Sequence, residues 1–335
     1  MIKETYRFIG RKIAFAALLV CPTISPVALA EGPIEDYGSH PKALVFIDKM
    51  VEQHGFERAY VQQLMRTAVK KQRILDAIAR PAEKTKTWKE YRKIFISQKR
   101  TLQGKAFMKA NADTLARAER DFGVPKEIIA AIIGVETRYG KNKGSWRVVD
   151  ALATLGFDYP PRSKFFSREL EEYLLLVREQ KFDATQVKGS YAGAMGYGQF
   201  IPSSYRGYAI DFDGDGVADI VDNVTDAIGS VANYFKSHGW RPGGQITSVA
   251  TVAENYDASL ANVKLKPKHT IGQLRDFGYQ PTVDISDEAM ATPMRLKGES
   301  GVEHWLGLRN FYVITRYNHS RLYAMAVFQL SETLK

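Results

Sequence analysis

The residue with the clearest chemical potential is Glu136, in the run Gly134-Val135-Glu136-Thr137-Arg138-Tyr139-Gly140. Ile128, Ile132 and Glu136 are spaced i, i+4, i+8, so the carboxyl projects from the apolar stripe of its own helix. A carboxyl held among apolar side chains resists ionisation, which a general acid working near neutral pH requires. On spacing alone, a glutamate at a frayed helix end with its head in water is the better fit, because buried glutamate is rare. A second stretch, KGSYAGAMGYGQFIPSSY over residues 188–205, interleaves four glycines with aromatics and amides around Ser190, Gln199 and Phe200. Glycine lets the backbone approach a ligand, and aromatic rings suit the apolar faces of sugars. No GxxxxGK spacing accompanies it, so a nucleotide-phosphate loop is excluded. A flexible surface loop is the plainer alternative.

The third feature is Asp211-Phe212-Asp213-Gly214-Asp215-Gly216-Val217, closing with Asp222. Aspartate at positions 1, 3 and 5, glycine at 6 and a carboxylate at 12 match an EF-hand calcium loop. Asp211, Asp213, Asp215, Asp222 and the Val217 backbone carbonyl are the expected ligands. Aspartate closes the loop where the longer glutamate usually does, which predicts weaker binding. One unpaired loop predicts a structural ion, with no organic cofactor. A fourth stretch, residues 315–327, carries Tyr317, Asn318 and Tyr323 into a helical pattern. Alone it reads as any core-lining helix.

Helices must position these groups. Residues 41–123 repeat apolar side chains three and four apart in a Lys-, Gln-, Glu- and Ala-rich background. Pro125 starts the helix bearing Glu136, and Gly140 is its expected stop. Further helices are predicted over 167–180 and 227–238. From 245 the pattern weakens into short β-branched runs, then periodicity returns from 306 to 330. The predicted organisation is a helical domain at 36–124, a catalytic core at 125–244 with the calcium loop at 211–222, a small β-containing insertion at 245–305, and a segment at 306–335 returning to the core.

The 335 residues carry 47 Lys and Arg against 37 Asp and Glu, a net charge of +10, so anionic partners are expected. The single cysteine, Cys21, excludes an intrachain disulfide and a Cys-based zinc site, and the six histidines show no HExxH spacing. The first thirty residues read as a secretory signal: Lys3, Arg7, Arg11 and Lys12, an apolar run at 13–20, then Ala28-Leu29-Ala30. That run is shorter than the roughly 20 residues a bilayer span needs. Cleavage after Ala30 would remove four basic residues and Glu4, leaving a periplasmic chain near +7. The run before Cys21 also resembles a lipoprotein box, with Val20 where a small residue is usual.

Taken together, GVETRYG, AGAMGYGQFIPSSY, the calcium loop and RYN…LYA resemble the membrane-bound lytic transglycosylase B family over most of the chain, in the family's order. The resemblance implies a mainly α (α+β) fold: a lysozyme-like helical core with a single EF-hand, a preceding helical domain and a small β-rich insertion. It implies Glu136 as the one catalytic acid/base. Ser190 would hydrogen-bond Glu136 or the substrate acetamido group, Gln199 and Phe200 would line the cleft, and Tyr91, Arg162, Tyr317, Asn318 and Tyr323 would shape the sugar subsites. The implied substrate is the peptidoglycan glycan strand, with no nucleic-acid partner and no envelope protein partner specified. A hydrolytic muramidase and a non-catalytic glycan-binding envelope protein are the alternatives.

Overall fold

The computed structural model describes residues 36–79 and 86–335. The signal segment, its cleavage position and Cys21 lie outside these residues. Helices dominate. The first is Pro41–His54, with His40 accepting from the Lys42 amide, proline in its first turn and Gly55 closing it in the left-handed region. Arg58–Thr67 and Gln72–Ala79 follow. Trp88–Phe95 opens on a capping box between Thr87 and Glu90, and Gln98–Ala110 and Ala112–Phe122 complete this part.

At the centre lies the helix Lys126–Thr137, in which every residue from Ile128 onward is buried. An apolar surface all round demands neighbours on every side. Arg321–Leu334, Gln98–Ala110, Val224–Ser237 and Ala112–Phe122 supply them. The helix ends before the expected Gly140, because Arg138 and Tyr139 already adopt positive φ of 55° and 60°. The Thr137 hydroxyl donates to the Tyr197 carbonyl at 2.9 Å and accepts from the Gly140 amide at 2.9 Å, fixing this turn. Gly134 is needed here: a Cβ would sit 2.6 Å from the Tyr139 ring.

A second helical layer pairs Val148–Asp158 with Ser163–Gln180, the latter starting four residues before the predicted 167. The two layers hold separate apolar clusters, one around this pair and one around the central helix, and Tyr197 and Tyr317 pack against both. Between the helices Val224–Ser237 and Arg309–Tyr317 the chain forms a five-stranded antiparallel sheet. Its order is His269–Thr270, Met290–Lys297, Val302–Gly307, Thr247–Val252, Tyr279–Pro281. This sheet has its own small core, including Ile271, Leu274, Tyr279 and Leu306. No helix among the described residues is long and apolar enough to cross a membrane.

Candidate active site

The seam between the two apolar clusters opens into a cavity of about 150 Å³ with Glu136 in its wall. The glutamate is 8% exposed, the last turn of its helix carrying it out of the core. Tyr323, from the helix Arg321–Leu334, donates its hydroxyl to Glu136 Oε1 at 2.6 Å. Burial, reinforced by the negative charge of Glu136, pushes the phenols of Tyr323 and Tyr317 well above their ordinary range. Both hydroxyls therefore stay protonated and act as donors. Tyr317 donates to the Gly198 carbonyl at 2.6 Å and stacks on Tyr323 with ring centroids 6.5 Å apart.

The glycine-rich stretch forms the facing wall. It is a set of tight turns held by the bridges Gly189 to Met195 and Met195 to Phe200. Gly196, at φ 70°, passes so close to the chain at Ile220 that a Cβ would meet its carbonyl oxygen at 2.1 Å. Ser190 anchors its own turn, its hydroxyl accepting from the Ala194 amide at 3.1 Å. Gln199 adopts φ 52°, and its side-chain nitrogen donates to the Lys143 and Gly196 carbonyls at 3.1 and 3.0 Å. The amide is thus fixed in the wall beside Phe200. Ser190, Gln199, Phe200, Tyr317 and Asn318 all line the cavity that Glu136 lines.

Three expected subsite residues are not among those lining it. Tyr323 is 2% exposed and meets the site through its bond to Glu136. Tyr91 is 1% exposed and packs on Phe95 at 5.1 Å, because Trp88, Tyr91 and Phe95 form the inward face of one short helix. Arg162 lies behind the wall, its guanidinium 4.3 Å from the ring centre of Phe165, which does line the cavity. Among the lining residues not anticipated are four large polar or ionisable side chains, Tyr191, Tyr234, Arg316 and His319. Three of them lie inside the stretches already singled out, so proximity to those motifs was the available signal. Tyr234, on the helix Val224–Ser237, gave none.

The acidic loop is arranged by backbone amides. Asp211 accepts from Gly214, Asp215 and Gly216 at 2.7, 3.1 and 2.7 Å. Those bonds hold its carboxyl below the usual carboxylate range. Carboxylate oxygens of Asp211, Asp213 and Asp226 lie within 4.8 Å of one another, an all-oxygen set suited to a hard cation such as Ca²⁺. Asp215 and Asp222 fall outside this group. Asp222 turns instead to Lys143, at 2.8 Å, and the Val217 carbonyl accepts from the Asp219 amide at 3.1 Å. The third carboxylate of the set, Asp226, lies four residues beyond the twelve-residue template and inside the first turn of the helix Val224–Ser237.

Among the described residues, the helical core thus carries a cleft with one carboxyl in its lining, faced by aromatic rings and a fixed amide. Residues 39–332 match the family described as Transglycosylase SLT domain. The chain is 46% identical over 308 residues to the membrane-bound lytic murein transglycosylase B of Escherichia coli, covering 89% of this chain and 84% of that protein. The soluble lytic transglycosylase SltB1 of Pseudomonas aeruginosa superposes with a TM-score of 0.84 at 52% identity, covering 88% of this chain and 98% of that one. The Escherichia coli lytic transglycosylase Slt35, solved in complex with calcium, does so at 0.82 with 45% identity, covering 89% and 94%. The chain belongs to this lytic transglycosylase family, with a mainly helical, lysozyme-like fold. It is a peptidoglycan lytic transglycosylase.

Proposed function

We propose that Glu136 alone carries the chemistry, as acid and then as base. One observation supports this above the others: among the described residues lining the cleft, Glu136 is the single carboxyl. Most glycosidases pair an acid with a second carboxylate as nucleophile or base. Here the N-acetyl group of the muramoyl sugar would take that second role, stabilising positive charge at C1 as an oxazolinium. Glu136 protonates the leaving glycosidic oxygen of the β-1,4 bond to N-acetylglucosamine. It then removes the proton from the muramoyl O6 hydroxyl as O6 attacks C1, closing a 1,6-anhydro ring without consuming water. Tyr323 orients the carboxyl through both steps and stabilises it once ionised. Ser190, Gln199, Phe200, Tyr317 and Asn318 line the path of the sugars, with Arg162 behind that wall against Phe165. Muropeptides released from purified sacculi test the reading. They should be one water lighter than hydrolytic products and resist borohydride. Reducible, hydrated ends as the main product would replace it with a hydrolytic muramidase.

The acidic loop would hold one Ca²⁺ through Asp211, Asp213 and Asp226, bracing the turn against the Val224–Ser237 helix without entering the reaction; the calcium complex of Slt35 supports this. The chain would be organised as 36–124, 125–244, 245–305 and 306–335, the third unit supported by its separate apolar core. Export with cleavage after Ala30 places the enzyme in the periplasm. A mature chain beginning at Glu31 is the expected result of N-terminal sequencing, and a lipidated Cys21 would overturn it.

A further inference from the structure

Away from the cleft, four separated segments meet at a pocket of about 340 Å³. They are the start of the Trp88–Phe95 helix, the loop residue Asn262, the strand Met290–Lys297 and the start of the Arg321–Leu334 helix. Its lining includes Lys86, Arg295, Lys297 and Arg321, and no acidic residue. Arg295 and Lys297 alternate with buried Met294 and Leu296, so both point out of the same face of the strand. Neither forms an ion pair among the described residues. The acids nearest by sequence are committed elsewhere: Glu90 to the Thr87 capping box, Glu299 to Lys89 and Lys93.

The pocket is built. Arg321 is pinned, its Nη2 donating to the Asn262 carbonyl at 2.6 Å. Asn262 is itself held at φ 65° by exchanging bonds with the Arg295 backbone, at 2.7 and 3.2 Å. Two buried donors meet no acceptor among the described residues: the indole nitrogen of Trp88, a side chain 1% exposed, and Arg321 Nε. Buried donors are almost always paired, so two orphans lining one cationic pocket point to a ligand that brings acceptors. Guanidinium groups favour a planar, two-oxygen partner.

Position narrows the choice. Arg321 lies two residues before Tyr323, the donor to Glu136, and Trp88 shares an apolar cluster with Tyr323. The pocket and the catalytic acid thus hang on the same helix. A glycan strand carries peptide stems, each with free carboxylates, on alternate sugars. We propose that this pocket binds a stem-peptide carboxylate of the strand, away from the bond being cut. The inference rests on the peptidoglycan reading above.

The test uses the full mature chain and the double variant Arg295→Ala/Lys297→Ala, both exposed positions, on soluble glycan strands with stems and on strands stripped of stems by an amidase. Losing charge-assisted contacts should raise KM for stemmed strands about 10-fold with kcat unchanged. KM for stripped strands should stay as in the wild type, and Arg295→Lys/Lys297→Arg should restore the stemmed value. Equal KM changes on both polymers, or none on either, would overturn the site. Inorganic phosphate inhibiting both polymers equally would make the pocket a phosphate site and overturn the carboxylate assignment. If the wild type released hydrated rather than anhydro ends, the mechanism would fail while the KM difference still reported on the pocket.

Discussion

Three buried carboxyls in this protein differ in what holds them. Asp226 is fully buried and accepts backbone amides from Phe212, Asp213 and Asp219 at 2.7, 3.2 and 2.8 Å. Glu169 is 1% exposed and accepts both the amide and the hydroxyl of Ser203 at 3.0 and 2.8 Å, capping the helix Pro202–Tyr208. Glu136 stands in a cavity wall and takes a phenol, from a tyrosine on another helix. Amide donors immobilise an anion as part of the scaffold. A side-chain donor at a cavity orients the carboxyl and leaves it facing space a substrate can fill. Burial alone, then, does not mark a catalytic acid.

The contrast breaks most sharply on isosteric amides. Glu136→Gln should cut turnover by about 10²- to 10⁴-fold, at the upper end because the residue serves twice, with the melting temperature preserved. Glu169→Gln should do the reverse, lowering melting and leaving kcat near wild type. Comparable kinetic losses in both would erase the distinction. Tyr323→Phe comes next: losing a hydrogen bond to an ionisable group should lower kcat about 10- to 100-fold with little change in KM.

The loop carboxylates sharpen the comparison in a different quantity. Calcium at a hundredfold excess over its dissociation constant should stabilise the chain by about 2.7 kcal/mol. Asp226→Asn should abolish the calcium-dependent melting shift, whereas Asp222→Asn should retain it. The opposite pattern would return the closing ligand to Asp222. The smallest effect concerns two histidines beside the cleft. Burial holds His238 and His319 below their ordinary value, with Arg316 nearby adding to it. Between that lowered value and about 6.5 the unfolded chain binds more protons, so stability should rise with pH across this window. It should be lost as pH falls through it. Melting curves of His238→Gln should show a shallower acid slope.

Much of this was legible in residue types and spacing. Glu136 stood out once the motifs that accompany it were joined to a register that put a carboxyl on an isoleucine stripe, and the helical class followed from repeated three- and four-residue spacing. Asp226 was not legible. A twelve-residue template ends at Asp222, while the chain adds Asn223, whose side chain both caps the next helix and donates to Asp213 at 2.6 Å. An aspartate in the first turn of a helix reads as an ordinary answer to its dipole. Tyr91 illustrates the converse. The family resemblance assigned it to a sugar subsite, but Trp88, Tyr91 and Phe95 also read as the i, i+3, i+7 face of a helix core, and the ring is packed there.

Tyr197 and Tyr317 touch both apolar clusters, and Tyr317 bolts the glycine-rich wall through the Gly198 carbonyl. The working cleft is thus a joint between two blocks that are each close-packed in their own right. Warming that lets the blocks slip by a fraction of a ring width spoils the alignment of the acid while both interiors stay folded. The alignment of the acid therefore rests on the joint that Tyr197 and Tyr317 span.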